Sequence, residues 1–267
     1  MIVLEASLRD DGRIPHRKSK EVKILGKYQV ELDLYIVRHG ESMTNILSDN
    51  NDTSVNNLSG ASLHDPVLSP KGQNQVRLVG ERFADVALDA VYSSALNRAF
   101  STAKSIVEKQ GTDGAKKLYI LPHLTENGTG KDYIGPTLNE LRQRYENIEL
   151  AEGIDPDMQL VMGSDTNDDE FNIARAEYVL NFLRKKYHNG EKVVLAAHAA
   201  FNTVLLFRAL GLSINEIFDP EFLNTGVTRL IFFKEGTGPY DCDIRLCYHN
   251  DVSHLVAEYP GILTYIR

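Results

Sequence analysis

Residues 32–37 read LDLYIV and run directly into the tetrapeptide RHGE at residues 38–41. A second apolar run, KVVLAA at residues 192–197, leads directly into His198. Short apolar runs of this kind are typical of strands that are buried on both faces of a parallel sheet. Ligands of open α/β sheets bind beyond the carboxyl ends of such strands. If both strands are central and parallel, His39 and His198 converge on one crevice.

The rest of the chain alternates apolar runs with amphipathic segments. Further strands are predicted at residues 88–92, 118–121, 227–233 and 244–248. Helices are predicted from Ser69, from Ser94, from Thr137, at residues 171–187 and at residues 200–210. Ser69 precedes a proline, and Thr137 begins a capping box, and both are signals of a helix start. Strands that alternate with helices predict a three-layer α/β fold, in which helices flank a mostly parallel central sheet.

Apolar side chains at helical spacing indicate which helix faces turn inward. In the helix after Ser69 the inward residues are Val76, Val79, Phe83 and Val86. In the helix after Ser94 they are Ala95, Ala99, Ala103, Ile106 and Val107. In the helix at residues 171–187 they are Phe171, Ala174, Tyr178, Phe182 and Tyr187.

The predicted organisation is an N-terminal extension followed by one domain. Residues 1–30 are expected to be extended segments around a turn, and residues 31–267 to form the domain. A lid is expected as an insertion at about residues 127–170, where regular patterns are weakest. Its second half, residues 151–170, holds seven acidic residues and no basic one, which predicts a solvated loop. Residues 48–66 are polar and are expected to form a long loop.

Composition excludes several classes of protein. The chain has 267 residues, two cysteines and a formal net charge of −8 at pH 7. Two cysteines exclude a disulfide framework and a cysteine-rich zinc site, and reduced thiols are expected. The negative charge disfavours a nucleic-acid surface. No apolar run reaches the roughly 18 residues of a membrane span, and the N-terminus is unlike a secretory signal, so a cytoplasmic location is expected.

Residues suited to phosphate follow the strand ends. The planar guanidinium group of Arg38 matches phosphate oxygens, and Ser42 and Asn45 lie where backbone N–H groups can face an anion. Arg98 lies just after another predicted strand. Arginine and histidine at several strand-to-helix junctions predict a positive pocket in a negatively charged protein. An imidazole there can be a nucleophile, a base, a metal ligand or a packed core residue.

These motifs, in their order, resemble those of the histidine phosphatase superfamily, which has the phosphoglycerate-mutase-like fold. The resemblance is carried by RHGES at residues 38–42 with Asn45, DPVLSPKGQ at 65–73, SSALNRAFSTA at 93–103, the strand before His198, and NDVSHL at 250–255. A single RHG triplet is weak, but five elements in order form a specific pattern. The resemblance covers the chain from about Leu32 to Leu255.

The resemblance implies a phosphohistidine mechanism in which His39 is the nucleophile. Arg38, Arg98 and His198 would bind the phosphoryl oxygens and spread their charge in the transition state. Asn45, Ser42 and the backbone at Ala199 would add hydrogen-bond donors. No metal and no cofactor are expected, because these side chains supply the positive charge.

The leaving oxygen needs a proton, and Glu126 occupies the position from which a family member's glutamate commonly supplies it. Glu41 is the alternative acid, although we expect it to be a scaffold residue. His198 is followed by Ala199 and Ala200 where many members carry glycine, which removes some backbone freedom. Residues 127–130 (NGTG) lack the pattern typical of glycolytic mutases, which favours hydrolysis.

Other functions stay open at this point. A phosphoglycerate-mutase-type phosphotransferase would use the same residues with extra basic groups in the lid. A non-catalytic phosphate-ligand-binding protein on the same fold would be expected to have lost His39, Arg38 or Arg98. A metal hydrolase would use His39, His198 and His254, but closely spaced ligands are lacking. The predicted partner is a small-molecule phosphomonoester, with no nucleic acid and no membrane, and a homo-oligomer is compatible with the sequence.

Overall fold

A seven-stranded sheet forms the centre of the computed structural model, which describes residues 28–112, 114–165, 168–214 and 220–264. The strands are β1 (Val30–Arg38), β2 (Ala90–Ser93), β3 (Leu118–Ile120), β4 (Ile148–Leu150), β5 (Glu191–Ala197), β6 (Val227–Phe233) and β7 (Ile244–Asp251). Their order is β4-β3-β2-β5-β1-β6-β7. From β4 to β1 in this order all neighbouring strands are parallel, and β6 alone runs antiparallel to its two neighbours, β1 and β7. The prediction of a mostly parallel α/β fold is confirmed. Most of the predicted extension at residues 1–30 lies outside the described residues.

The apolar residues 34–37 of β1 contribute side chains to both faces of the sheet. Leu34 and Ile36 are completely buried in one core, together with side chains of the helices on that face. Tyr35 and Val37 lie in a second core on the opposite face. Successive side chains of a strand point to opposite faces, so an unbroken apolar run requires two covered faces. The sheet therefore has helices on both sides, and β1 is an interior strand between β5 and β6.

Seven α-helices accompany the sheet in the described part of the chain. They are α1 (Met43–Asp49), α2 (Gly60–His64), α3 (Pro70–Phe83), α4 (Asn97–Glu108), α5 (Leu138–Arg144), α6 (Asp169–Lys186) and α7 (Ala199–Ala209). The two capped helix starts are confirmed. The Ser69 hydroxyl accepts from the Gly72 backbone N–H at 2.9 Å, and Thr137 and Glu140 form their reciprocal capping box. Among the described residues, no helix combines the length and the apolar character that crossing a bilayer requires.

Several short elements were not predicted. The expected loop at residues 48–66 contains the 3₁₀ turn Thr53–Asn57 and α2, and α1 and β4 were also missed. Neither α1 nor α2 contains a buried residue, so neither leaves an apolar period in the sequence. Helix α4 begins three residues later than Ser94, because the Ser94 hydroxyl accepts from the Leu96 N–H in the turn that precedes it.

The predicted inner face of α6 is wrong. Two residues of the expected stripe, Ala174 and Tyr178, are exposed. Val179 and Leu183, which were not part of that stripe, are buried. The buried face also contains two polar residues, Asn172 and Arg175. Because arginine and asparagine do not register as core positions in an apolar pattern, the stripe was placed on the neighbouring face. Of the aromatic residues in that stripe, Tyr178 and Phe182 stack on each other at the margin of the core, and Tyr187, just after the helix, is buried as predicted.

The second half of the predicted lid is only partly solvated. Its acidic residues are mainly exposed, but Leu160, Val161 and Ser164 are buried. Leu160 and Val161 join the core that contains Val37. The apolar residues between the acids thus attach this irregular segment to the body of the fold.

Candidate active site

The register of the two central strands brings His39 and His198 together. Strands β1 and β5 are parallel neighbours, and Arg38 is paired with Ala197. One residue further on, the His39 N–H donates to the Ala197 carbonyl at 3.0 Å. The two imidazole rings have a centroid separation of 5.1 Å and both are almost completely buried. The two histidines therefore lie side by side at the carboxyl edge of the sheet.

Two hydrogen bonds select the tautomer of His39. Its Nδ1 lies 2.7 Å from the Gly40 carbonyl oxygen, which can only accept, so Nδ1 carries the proton. The guanidinium Nε of Arg98 donates to His39 Nε2 at 3.2 Å, so Nε2 carries the lone pair. A neutral imidazole with its Nδ1 proton held by a backbone carbonyl is prepared for nucleophilic attack through Nε2.

The two predicted phosphate-binding arginines are held by main-chain oxygens. Arg98, in the first turn of α4, donates to the His64 carbonyl at 3.0 Å. Arg38 donates to the Phe222 carbonyl at 2.6 Å. Both are less than a tenth exposed. Burial lowers the pKa of Arg98, and the nearby carboxylates of Glu126 and Asp65 oppose that shift. Carbonyl partners orient a guanidinium group and leave its full charge for an anion.

His198 contributes a hydrogen-bonding group without a charge. It is 0% exposed and precedes α7 as its N-cap residue. Within the described part of the chain, neither of its ring nitrogens has a hydrogen-bond partner. Burial lowers the pKa of His198 well below 6.5, and the positive charges of Arg98, Arg38 and Arg175 add to the shift. The sequence-based expectation that His198 carries positive charge is therefore corrected for the free site.

Glu126 lies in the loop after β3 and contacts the first turn of α7, the helix for which His198 is the N-cap residue. It follows the 3₁₀ turn Pro122–Leu124 after β3 and is half-buried. Its Oε1 accepts from the Phe201 N–H in the first turn of α7 and from the Asn127 N–H, both at 3.0 Å. The structure thus places Glu126 against the first turn of α7, close enough to interact with the charge of Arg98.

The remaining predicted donors have local partners. Ser42 is the N-cap of α1, where its hydroxyl accepts from the Asn45 N–H. The Asn45 Oδ1 accepts from the Ser42 N–H at 3.1 Å and from the Asn224 amide at 3.3 Å, which directs its own amide group elsewhere. Ala199 is the first residue of α7, next to His198. A phosphate-binding role for these three residues stays a prediction.

Both carboxylate oxygens of Glu41 have hydrogen-bond partners at the start of a helix. Its Oε1 accepts from the Ser69 hydroxyl and its Oε2 from the Lys71 ammonium group, both at 2.7 Å. Both partners belong to the start of α3, so this carboxylate ties the RHGE segment to that helix. The geometry favours Glu126 over Glu41 as the acid.

Sequence reasoning missed three residues that shape the site. The Asn224 amide donates to the His39 carbonyl at 3.1 Å, and the Thr225 N–H donates to the Arg38 carbonyl at 3.0 Å. Arg175 is buried behind Glu126. The turn signal Asn-Thr-Gly before β6 could have directed attention to residues 224–226. No local signal marked Arg175, because an arginine in an amphipathic helix is ordinarily exposed.

Among the described residues, no cluster of three or more histidine, cysteine, aspartate or glutamate side chains could hold a metal ion. The metal-hydrolase alternative thus has no ligand set in that part of the chain.

Comparisons with known proteins identify relatives of one kind. The family model described as the histidine phosphatase superfamily (branch 1) matches residues 34–239. A 2,3-bisphosphoglycerate-dependent phosphoglycerate mutase of Bartonella henselae is 28% identical over 214 residues, which cover 77% of this chain and 94% of the relative. Phosphoserine phosphatase 1 of Hydrogenobacter thermophilus is 26% identical over 183 residues, which cover 68% of this chain and 78% of the relative.

A solved structure has the same fold. The crystal structure of a phosphoserine phosphatase from Entamoeba histolytica in complex with 3-phosphoglyceric acid superposes with a TM-score of 0.55. Its sequence is 22% identical, and the match covers 84% of this chain and 99% of that one. At this identity the likeness is one of architecture.

Proposed function

Because the chain belongs to the histidine phosphatase superfamily, we propose that it is a phosphomonoester hydrolase that works through a phosphohistidine on His39. The observation that carries the proposal is the tautomer of His39. Its Nδ1 proton is held by the Gly40 carbonyl, and its Nε2 lone pair faces the guanidinium group of Arg98. A phosphoryl group that binds Arg98 would bring its phosphorus atom to that lone pair.

Substrate binding would use the charges of Arg38 and Arg98 together with neutral donors. A substrate phosphoryl oxygen would replace His39 as the partner of the Arg98 Nε. His198 would donate from whichever ring nitrogen carries its proton, and the first N–H groups of α7 would add their dipoles. A phosphate dianion beside His198 would also raise the pKa of that histidine.

Phosphoryl transfer would then follow in two steps. The His39 Nε2 lone pair forms the N–P bond as the P–O bond to the leaving group breaks, and Glu126 delivers its proton to the departing oxygen. In the second step Glu126, now a carboxylate, would take a proton from the attacking water. The water oxygen forms the new P–O bond, and the N–P bond breaks to restore neutral His39.

A phosphotransferase of the mutase type is the second candidate, because one relative carries that name. Such an enzyme has to retain a doubly phosphorylated compound and needs free basic groups in the lid. Lys131 of the lid pairs instead with Asp165 at 2.8 Å and with Asp168 at 3.6 Å. These ion pairs favour hydrolysis.

The first test is phosphate release by the purified full chain. The substrates are p-nitrophenyl phosphate, phosphoserine and 3-phosphoglycerate, the last two taken from the names of the relatives, and all assays are run with and without EDTA. We expect phosphate release from at least one monoester and its loss in His39→Ala. His188→Ala, which removes an exposed histidine, is the matched control. Rapid quenching should trap a phosphoenzyme that is labile in acid and stable in base.

Other outcomes have distinct meanings. Phosphoenzyme that persists in His39→Ala would exclude His39 as the acceptor. Isomerisation of phosphoglycerate without phosphate release would support the mutase. Loss of turnover in EDTA that is restored by a divalent metal would support a metal hydrolase. Tight binding of phosphate without turnover would support the non-catalytic alternative.

A further inference from the structure

Arg175 lies within α6, and its side chain is only 2% exposed. We propose that Arg175 is a positioning residue, whose guanidinium group holds the carboxyl group of Glu126 where it can protonate the leaving oxygen. This inference rests on the proposed function, because that function makes Glu126 the acid. Arg175 would act through Glu126 without touching the substrate.

The guanidinium group of Arg175 grips the chain on both sides of Glu126. Its Nη1 donates to the Thr125 carbonyl at 2.6 Å and to the His123 carbonyl at 3.2 Å. Its Nη2 donates to the Asn127 Oδ1 at 2.8 Å. The residues immediately before and after Glu126 are therefore fastened to one rigid, planar group.

Arg175 also touches the helix turn that binds the Glu126 carboxylate. Its guanidinium carbon lies 4.8 Å from the centroid of the Phe201 ring, in cation–π contact. The backbone N–H of the same Phe201 donates to the Glu126 Oε1. One guanidinium group thus sets both the origin of the Glu126 side chain and the position of its hydrogen-bond donor.

Further contacts fix the guanidinium group of Arg175 to α6 and, through Asn172, to Ser164 in the predicted lid. Arg175 Nη2 donates to the Asn172 Oδ1 at 2.7 Å, and the Ser164 hydroxyl donates to the same oxygen at 3.2 Å. The ring of Phe171 lies 5.3 Å from the guanidinium carbon. Four acceptor contacts and two aromatic rings leave the guanidinium group little freedom to move, so the turn that it holds is equally fixed.

Arg175 keeps its charge although it is buried. Burial lowers the pKa of Arg175 to about 10, against the opposing effects of Glu126 and Asp168, so the group stays charged near neutral pH. A buried cation is costly and is tolerated where its hydrogen bonds are satisfied. A lysine would keep the charge, but it has three N–H donors and no planar fork, so it cannot satisfy the four acceptors that Arg175 holds.

The experiment compares leaving groups in Arg175→Lys, Glu126→Gln and the double variant. An alkyl phosphate that the wild type hydrolyses needs the acid, whereas p-nitrophenolate departs without help. General acid catalysis typically accelerates a reaction by about 100- to 10,000-fold. Glu126→Gln should therefore slow hydrolysis of the alkyl phosphate by a factor in that range and should not slow hydrolysis of p-nitrophenyl phosphate to the same extent. A misplaced catalytic group can cost about 100-fold, so Arg175→Lys should lose about 10- to 100-fold on the same substrate. On p-nitrophenyl phosphate its loss should be small.

The double variant separates positioning from general damage. If Arg175 acts through Glu126, Arg175→Lys should cost less than about twofold once Glu126→Gln is present, since coupled residues are not additive. Arg184→Lys is the control, because Arg184 lies on the same helix and pairs with the carboxylate of Glu31. It should leave both substrates unchanged.

Asn127→Ala covers the case in which Arg175→Lys fails to fold. It removes one of the four acceptors and should give a smaller loss with the same preference for the alkyl phosphate. The proposal would be overturned if Arg175→Lys reduced the rate equally on both substrates and if its effect multiplied with that of Glu126→Gln in the double variant. The proposal would also be overturned if Glu126→Gln lost the same activity on both leaving groups while His39→Ala was inactive. In that case the proposed hydrolysis through His39 would stand, and only the role of Glu126 would fall. A fully active His39→Ala would instead refute the proposed function.

Discussion

His39 has its reactive nitrogen chosen before any substrate arrives. A free imidazole exchanges its proton between two nitrogens, and only the tautomer with a lone pair at the attacking position can react. In this site the Gly40 carbonyl and the Arg98 guanidinium group each contact one ring nitrogen, and both contacts favour the same tautomer. The same Arg98 would later bind the phosphoryl group, so binding releases the lone pair at the moment it is needed.

His198 carries a prediction at this scale. Burial and the neighbouring arginines lower its pKa, so its ring should be neutral in the free protein at pH 6, below the ordinary histidine value of about 6.5. Saturating inorganic phosphate should raise that pKa, because the dianion favours the protonated ring. Nitrogen-15 NMR of the imidazoles, assigned with His198→Gln, measures both states.

The control for that titration is the exposed His188, whose signal should be unaffected by phosphate. A His198 ring that titrates near 6.5 in the free protein would contradict the assignment of a neutral donor. A ring whose pKa is unmoved by saturating phosphate would place the anion elsewhere.

At the scale of elements, local signals were enough to predict most of the sheet. The strand at residues 227–233 was predicted at its observed bounds, and β1 and β5 were displaced by one or two residues at their ends. Apolar runs and capping residues are properties of adjacent positions, so the sequence exposes them directly. The buried face of α6 was predicted wrongly, because it includes Arg175. Two of the hydrogen-bond acceptors of Arg175 lie about 50 positions away along the chain.

The packing of α3 against the RHGE segment gives an element-scale prediction. A Cβ atom on Gly72 would overlap the backbone carbonyl of Glu41, although Gly72 has helical geometry in α3. In an open helix, alanine is more stable than glycine by about 1 kcal/mol. Here overpacking dominates, so Gly72→Ala should lower the free energy of unfolding by about 1–3 kcal/mol. It should also reduce turnover, because the displaced segment carries His39.

Urea denaturation and turnover measured on the same preparation check this expectation. Gly111→Ala is the matched control, since Gly111 has open space around it and needs no positive φ. A Gly72→Ala protein at least as stable as the wild type would show that α3 does not press on the catalytic segment.

At the scale of the whole molecule, the site depends on contacts between distant parts of the chain. The convergence of His39 and His198 could be predicted, because parallel strands end at one edge of a sheet. The support of Arg38 by Phe222 and of His39 by Asn224 could not, because those partners are 184 and 185 positions away and one of them is a bare backbone carbonyl. Such contacts leave no periodic pattern in the sequence.

Buried histidines give the fold a predictable response to acid. Burial lowers the pKa of His123, His198, His249 and His254, to about 4 for His123 and His254. In the unfolded chain these groups titrate near 6.5. Below that pH the unfolded chain binds more protons than the folded one, so the free energy of unfolding falls as the pH falls from about 6.5 to about 4. Above pH 6.5 the contribution is fully present.

His254 allows this prediction to be tested away from the reacting groups. Its Nε2 lies 3.1 Å from the Thr225 hydroxyl and its Nδ1 lies 3.3 Å from Arg82, which also pairs with Asp251. Glutamine can keep both hydrogen bonds and cannot titrate, so His254→Gln should flatten the loss of stability between about pH 6.5 and 4. One such histidine contributes at most about 1.4 kcal/mol per pH unit in this range. Urea unfolding across the range measures the slope, and His188→Gln, at an exposed position, should keep the wild-type slope. An unchanged slope in His254→Gln would mean that this histidine is protonated in the folded protein, contrary to its burial beside Arg82.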